Sequence, residues 1–505
     1  ANICPDLWKL DEVQRRSCPD RAVKMVFLPI ATILLVMLCL YTLRRKRFSL
    51  FKKLGIPGPP PSLISGNLTQ INQRGPIAMF EEWTNQYGNI VGFYNGGTPV
   101  LIANDLDLIK KIQVEDFHNF QERGVASVYI RTHQLSSMSL SNSSGARWKS
   151  TRRMLTQAFT PSKLRKLRTV MVQCCDAFME NMERLEAEGN GFEIGGVFRN
   201  LSMNITVRCF FGDEAYKALS QEGTGMAVIK QQLGFFVDSL RNGWQTRLIG
   251  YFPEYYLLWR WLLILRAKFS KLPMDKIRDV MAKIVKQRRS APKNGQEDLL
   301  QLMLNETAKG GDMASGRTRL LSDNEIQGNI FFALIDGFET VCTAMSFMAY
   351  LLAKHQDVQD RLRTEITASL GEDGELNLDN IMQIEYMNQV ILETLRCYPP
   401  LASFITRTCG SDYDYNGLKI PSGITVMVPV HRLHRDINLW NNPEAFDPDR
   451  FSADNKGSLH PVQFQPFGNG PRKCIGMRFV QQELKITFAK LLSKYKLCLD
   501  DRHLK

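Results

Sequence analysis

The ten residues Phe467-Gly468-Asn469-Gly470-Pro471-Arg472-Lys473-Cys474-Ile475-Gly476 place the narrowest limits on how this chain can fold. Three glycines and a proline in so short a run exclude a helix interior and a sheet interior. The stretch reads as a tight loop that presents Cys474 and then enters an amphipathic segment from Met477 to Leu492. Cys474 therefore stands at the mouth of a helix, beside Arg472 and Lys473. Helix amides, neighbouring cations and a bound metal all favour thiolate over thiol. A thiolate held this way suits nucleophilic catalysis or axial ligation of a haem iron. The plainer alternative is a small buried cysteine after a Gly-rich turn.

A second constraint lies upstream. Ser322-x-x-Glu325 is a capping box that opens a long helix, whose middle reads Ala333-Leu334-Ile335-Asp336-Gly337-Phe338-Glu339-Thr340. A glycine and a Glu-Thr pair inside so apolar a helix cost stability, and the sequence offers no packing reason for them. Trp148 and Arg152 stand at i and i+4, and Glu393 and Arg396 at i and i+3, so each pair shares a helix face. Ile90 to Phe93 and Val100 to Ala103 flank Asn95-Gly96-Gly97 as a β-hairpin. Asp414-Tyr415-Asn416-Gly417 makes another turn, and Ile424 to Val430 continues the sheet. Helical patterns dominate between these regions. The expected fold class is mainly α with small β-sheets, a helical domain plus a smaller β-rich one.

The N-terminal region reads as a membrane attachment. Residues 1–24 are polar and charged. Val26 to Leu43 is uncharged, about long enough to cross a bilayer, and Arg44-Arg45-Lys46-Arg47 follows at once. The positive-inside rule keeps that basic cluster cytosolic. A buried core helix is the competing reading of the apolar run. Met25 directly precedes that run and is expected as the native start, with residues 1–24 as a non-native extension. Residues 44–61 form a basic and proline-rich linker, ending Ile56-Pro57-Gly58-Pro59-Pro60-Pro61, and residues 62–505 form the catalytic domain. Farther on, 228–265 is unusually apolar and ends in a Trp- and Tyr-rich stretch, for which a buried helix is the simple explanation. Lys309 to Arg319 reads as an exposed loop.

A formal net charge of +13 suits a membrane surface or an acidic partner protein. The positive residues are scattered and no nucleic-acid motif accompanies them, so nucleic acid is not an expected partner. Eleven cysteines show neither a C-x-x-C pair nor zinc spacing, as expected of reduced thiols facing the cytosol.

Phe-x-x-Gly-x-Arg-x-Cys-x-Gly at 467–476 resembles the haem-binding loop of the cytochrome P450 family. With the long-helix motif, Trp148 and Arg152, the Glu393/Arg396/Arg450 set and the proline-rich hinge, the resemblance runs from Pro57 to the C-terminus. It implies haem as cofactor, Cys474 as the thiolate ligand of the iron, and Phe467 packed near the sulfur. Gly470 and Gly476 would permit the turn and close approach to the porphyrin. Arg472, Trp148, Arg152 and Arg407 become partners of the haem propionates, with Arg123 as a further contact. Glu393, Arg396 and Arg450 (within Phe446-Asp447-Pro448-Asp449-Arg450-Phe451) become a structural network. Gly337 would open a groove for dioxygen, Thr340 would supply a hydroxyl to it, and Glu339 would relay protons. Asp336 departs from the family's usual alanine. A carboxyl there could be held protonated, bind a polar substrate group, or approach the iron. Leu401 to Phe404 would line the substrate pocket, and 228–265 would carry a mobile substrate lid that dips into the membrane, which interfacial Trp and Tyr fit.

The resemblance further implies a monooxygenase that inserts one oxygen atom from O2 into a lipophilic small molecule. Electrons would come from NADPH through a membrane-bound cytochrome P450 reductase, with cytochrome b5 as a second donor. Its place would be the endoplasmic reticulum membrane, with a single-pass anchor and a cytosolic catalytic domain. Lys149, Arg153 and Lys473 are the expected docking cations for the reductase. The motif spellings look most similar to the animal microsomal group of insect detoxification and vertebrate drug- and steroid-oxidising enzymes. Two other readings fit haem-thiolate chemistry: a peroxide isomerase or dehydratase that needs no reductase, and a non-catalytic haem protein.

Overall fold

The computed structural model describes residues 32, 35, 37–124, 134–189, 192–220, 229–235, 243–269, 273–290, 298–308, 321–371, 376–402 and 405–500. The expected N-terminal extension, most of the apolar run 26–43, the loop 309–319, and residues 403 and 404 of the expected pocket segment lie outside the described residues.

Near the N-terminal end, helix α1 (Pro76–Tyr87) precedes strands β1 (Ile90–Asn95) and β2 (Thr98–Ala103). Their hairpin turns at Gly96, whose φ of 61° a side chain rarely adopts. The strands extend past the expected Phe93 and Val100, because pairing continues out to Asn95 and Thr98. A helical run follows: α2 (Gly145–Thr156), α3 (Pro161–Ala187), α4 (Ile194–Ser220, broken at Gly212), α5 (Tyr256–Ala267), α6 (Pro273–Ser290) and α7 (Leu299–Ala308). Then come α8 (Asp323–Lys354), α9 (Gln356–Ala368) and α10 (Glu385–Cys397). The chain returns to β structure with β3 (Thr406–Thr408), β4 (Tyr413–Tyr415), β5 (Leu418–Ile420) and β6 (Thr425–Met427), and its last helix is α11 (Met477–Lys494).

One sheet has the order β1-β2-β6-β3, with β2 and β6 parallel and the other pairs antiparallel. Strands β4 and β5 form a separate hairpin, turning at Asn416 and Gly417, both at positive φ as a two-residue turn of this hand requires. The expected strand 424–430 stops at Met427. Pro429 has no amide hydrogen to donate, and Val430–Leu433 winds into a short helix.

Helix α8 sets the architecture. Its 32 residues run roughly 48 Å through the largest hydrophobic core. The Ser322/Glu325 capping box forms as the sequence predicts. Among the described residues α8 alone is long and apolar enough to cross a membrane, yet it is packed by α4, α6, α10 and α11 as an internal helix.

Two expectations for the N-terminal region meet a different geometry. The proline-rich segment packs against β1 rather than standing free: Gly92 N donates to Pro57 O at 2.8 Å, and a Cβ on Gly58 would lie 1.9 Å from Gly92 O. Proline carbonyls still accept hydrogen bonds, so the segment closes a sheet edge. Arg44 turns inward from its basic cluster. Its guanidinium donates to Ile64 O and Tyr251 O at 2.7 and 2.6 Å, pairs with Glu254 at 3.2 Å and lies over the Phe252 ring. One residue thus joins the end of the N-terminal helix to the segment leading into α5.

That segment, expected as either a buried helix or a lid, is two-faced. Trp259 donates to Phe252 O at 2.7 Å and, with Leu263, packs on the core. Tyr256, Leu257, Leu258, Trp261 and Ile264 are exposed, Leu257 to 63%. A purely buried helix is therefore excluded.

The network around Glu393 is enclosed. Arg396 makes a two-pronged contact with it at 2.7 Å for each nitrogen, and Arg450 Nε lies 3.4 Å away. Arg396 also donates to the carbonyls of His434, Pro443 and Ala445. A buried pair this well satisfied fixes geometry more than it adds stability.

Glu483 on α11 is the opposite case, fully buried with neither carboxyl oxygen hydrogen-bonded. Burial pushes its pKa up to about 8, only partly opposed by the nearby Ser202 hydroxyl. Because the folded pKa exceeds the unfolded one near 4.3, the folded state holds an extra proton between those values, and stability falls as pH rises through that window. Glu483→Gln is expected to flatten this slope and raise stability at pH 8 by up to roughly 4 kcal/mol, read as the pH dependence of the unfolding midpoint.

Candidate active site

The loop 467–476 is held by its own backbone. Asn469 accepts from Gly470 N, and Cys474 N donates to Phe467 O at 2.8 Å. Gly470 has φ 68°, and a Cβ there would lie 1.9 Å from Gln113 O, so the glycine is required by close backbone approach. Gly476 leads into α11 at ordinary φ, with no described neighbour nearer than 3.9 Å to an added Cβ.

This loop forms one wall of a deep cavity. Cys474, Phe467, Arg472, Trp148, Arg152 and Arg407 all line it, as do Asp336, Gly337 and Thr340 from α8. Leu401 and Ile405 add to the lining beside the β3 strand that carries Arg407. Glu339 is not brought to the cavity. It sits a third of a turn away on α8 and pairs with Arg199 of α4 at 3.4 Å.

Four guanidiniums gather here, Arg123, Arg152, Arg407 and Arg472, and each is tied to backbone. Arg472 donates to Gln121 O and Ser143 O at 2.9 and 2.8 Å and lies 4.3 Å from the centre of the Trp148 ring. Arg152 donates to Lys473 O at 2.7 Å, Arg407 to Thr406 O at 2.8 Å and Arg123 to Arg472 O at 3.5 Å. Arg407 Nε has no partner. Burial first, then mutual repulsion with Arg123, pulls Arg472 and Arg407 down to about 9. A cavity so overloaded with cations fits a group carrying carboxylates, and the one sulfur on its wall fits a metal at that group's centre. Haem would satisfy both conditions, the arginines holding its propionates and Cys474 its iron.

The sulfur of Cys474 and the carboxyl of Asp336 are accessible from the cavity, but the cavity is too deep for bulk water to stabilise their charges. This alters the expectation for Cys474. Burial raises its thiol pKa, and Asp336 adds to that. The Gly476 amide and the Arg152 and Arg123 guanidiniums only partly oppose them. Flanking cations and helix amides do not by themselves give thiolate; coordination to a metal would. Asp336 is likewise pushed up to about 6 by burial, against the pull of Arg123 and of a Ser141 hydrogen bond at 3.3 Å.

Sequence reasoning missed Ser141 and Asn329. Asn329 Oδ1 accepts from Leu140 N at 2.7 Å, fastening the 134–143 segment to α8 and bringing Ser141 to Asp336. A polar residue inside an apolar helix was the available signal for Asn329; nothing local marked Ser141. Gly337 has a packing reason that the sequence hid. An added Cβ would lie 2.9 Å from Thr206 Cγ2 and 3.1 Å from its Oγ1, so α8 and α4 touch here.

The shape and chemistry define a haem-thiolate protein with an enclosed apolar pocket. Comparison with known proteins is specific. Residues 56–504 match the model of the family described as Cytochrome P450, and the chain belongs to that family. It is 33% identical to cytochrome P450 3A31 of Mesocricetus auratus over 91% of this chain and 88% of that protein. It is 31% identical to cytochrome P450 3A9 of Rattus norvegicus over 92% and 89%. Lithocholate 6-beta-hydroxylase of Mesocricetus auratus is 33% identical over 88% and 86%. Haem-thiolate monooxygenase chemistry is the family's activity.

Gly337→Ala tests the α4–α8 contact. The helix-propensity gain of roughly 1 kcal/mol is opposed by overpacking against a β-branched neighbour that cannot rotate freely, leaving a net loss of about 1–2 kcal/mol. Adding Thr206→Ala should recover most of that loss in a thermal-unfolding double-mutant cycle.

Proposed function

We propose that this chain oxygenates lipophilic small molecules at the endoplasmic reticulum membrane, with electrons from NADPH passed through a flavoprotein reductase and cytochrome b5 as a second donor. The observation that carries this reading is the meeting, in one cavity, of the Cys474 sulfur, four carboxylate-seeking arginines, the Thr340 hydroxyl and an apolar wall. Haem ligated by Cys474 would supply activation of dioxygen, one atom going to substrate and one to water.

The protein's own residues do the rest. Arg472, Arg152, Arg407 and Arg123 would bind and orient the cofactor through its carboxylates, with Trp148 bracing Arg472. Leu401, Ile405 and Phe210 exclude water and favour apolar substrates. Thr340 Oγ1 donates to Asp336 O at 2.6 Å, which fixes a hydroxyl proton at the cavity wall. The exposed face of α5 supports contact with lipid, and the Arg44 clamp would tie that face to the membrane anchor. Lys149 and Arg153 share one exposed face of α2, and the Arg152–Lys473 bond brings exposed Lys473 beside them, which supports an acidic docking partner.

Glu339's place outside the cavity removes one acid from the expected proton relay. It is the observation that favours peroxide rearrangement as a second reading, distinguished by turnover of a lipid peroxide without NADPH.

Cys474→Ser is expected to abolish the thiolate-type reduced carbon monoxide difference spectrum and bring NADPH-driven product formation to background. Retention of the parent rate would overturn the proposal. Lys149→Glu combined with Arg153→Glu should lower reductase-driven turnover about tenfold while keeping that spectrum. An unchanged rate would remove this face from the docking surface.

A further inference from the structure

Asp336 is the one carboxylate in the cavity lining among the described residues. Ser141 Oγ donates to its Oδ2 at 3.3 Å, and among the described residues no hydrogen bond reaches Oδ1. The group is accessible from the cavity and stands one turn before Thr340, beside Gly337, on the helix that walls the substrate space. The nearest charge, Arg123, sits on the wall with the other three arginines and donates to the backbone of Arg472. Arg123 acts on Asp336 through space, and the cofactor's two carboxylates would compete for that cation.

We propose that Asp336 is a specificity determinant that selects lipophilic amines and orients them by an ion pair to their protonated nitrogen. The inference rests on the functional reading above and narrows its substrate class. An apolar cavity with a single accessible carboxylate rewards a ligand that buries hydrocarbon and brings its own positive charge. A neutral hydroxyl donor could reach the same oxygen, but a charge-assisted hydrogen bond is roughly twice as strong as a neutral one. The surrounding low dielectric widens that difference. A neutral hydrocarbon would instead leave the carboxyl buried with half of its acceptors unmet, which costs binding. Ser141 makes the site directional by holding one oxygen and leaving the other for ligand.

The test uses the full-length, haem-loaded protein and three probes: diphenylethyl dimethylamine, its carbon isostere with CH in place of nitrogen, and its trimethylammonium analogue. Soret titrations give the three dissociation constants. The wild type is expected to bind the amine at least about tenfold tighter than the isostere, and Asp336→Asn, which keeps the shape and the Ser141 contact, should bring that ratio down by about tenfold, to near one. The trimethylammonium analogue cannot ligate iron and should still outbind the isostere in the wild type, a result independent of any variant's folding. Equal affinities for amine and isostere, exclusion of the trimethylammonium probe, or an undiminished ratio in Asp336→Asn with an intact carbon monoxide spectrum would each overturn the assignment. A wild type lacking the thiolate-type spectrum would sink the functional reading itself, whereas an intact spectrum with no amine preference sinks only the role of Asp336.

Discussion

Four buried guanidiniums sharing one cavity are electrostatically costly, and much of the surrounding structure holds them in place. Their tethers come from carbonyls far apart in sequence, at Gln121, Ser143, Thr406, Arg472 and Lys473. Each tether positions a side chain, and those of Arg472, Arg152 and Arg123 also join segments far apart in the chain. Asp336 offsets part of the repulsion among these cations through its effect on Arg123, and a cofactor bearing carboxylates would offset more. A fold organised this way is expected to be least cohesive where its chemistry occurs.

Around that strained centre the protein divides its labour. On one side, Glu393 and Arg396 are fully buried and paired, and three carbonyls hold the Arg396 guanidinium. On the other side, α5 shows lipid-sized apolar side chains to the exterior and is attached through Trp259 and the Arg44 clamp rather than by deep burial. Helix α8 passes between these parts. Its close contact with α4 at Gly337 and its bond to Leu140 through Asn329 set the height of the cavity wall that Asp336 and Thr340 occupy.

Much of the site was legible in sequence because its chemistry is local. A loop with a glycine forced by backbone contact, a capping box, and Trp-x-x-x-Arg on one helix face each declare themselves within a few residues. Positions that depend on which way a helix face turns were harder. Asp336 and Glu339 are three residues apart in the same helix, yet one reaches the cavity and the other reaches Arg199. The sequence marks both as unusual acids in apolar surroundings. Gly337 looked like a purely functional glycine because Thr206, the residue that would clash with any side chain there, lies 131 positions away. The proline-rich linker looked like a spacer because its partner, Gly92, belongs to a strand that it meets only after folding.

By itself the sequence determined most of the secondary elements, the excess of cations and the family chemistry, since these follow from residue type and short-range spacing. Tertiary structure alone decided which acid faces the cavity and which basic residue of the 44–47 cluster turns inward. It also decided that burial outweighs the flanking cations in the shift of the Cys474 thiol pKa. Those outcomes depend on burial and on charges brought together across hundreds of residues, and spacing along the chain does not encode distance or dielectric.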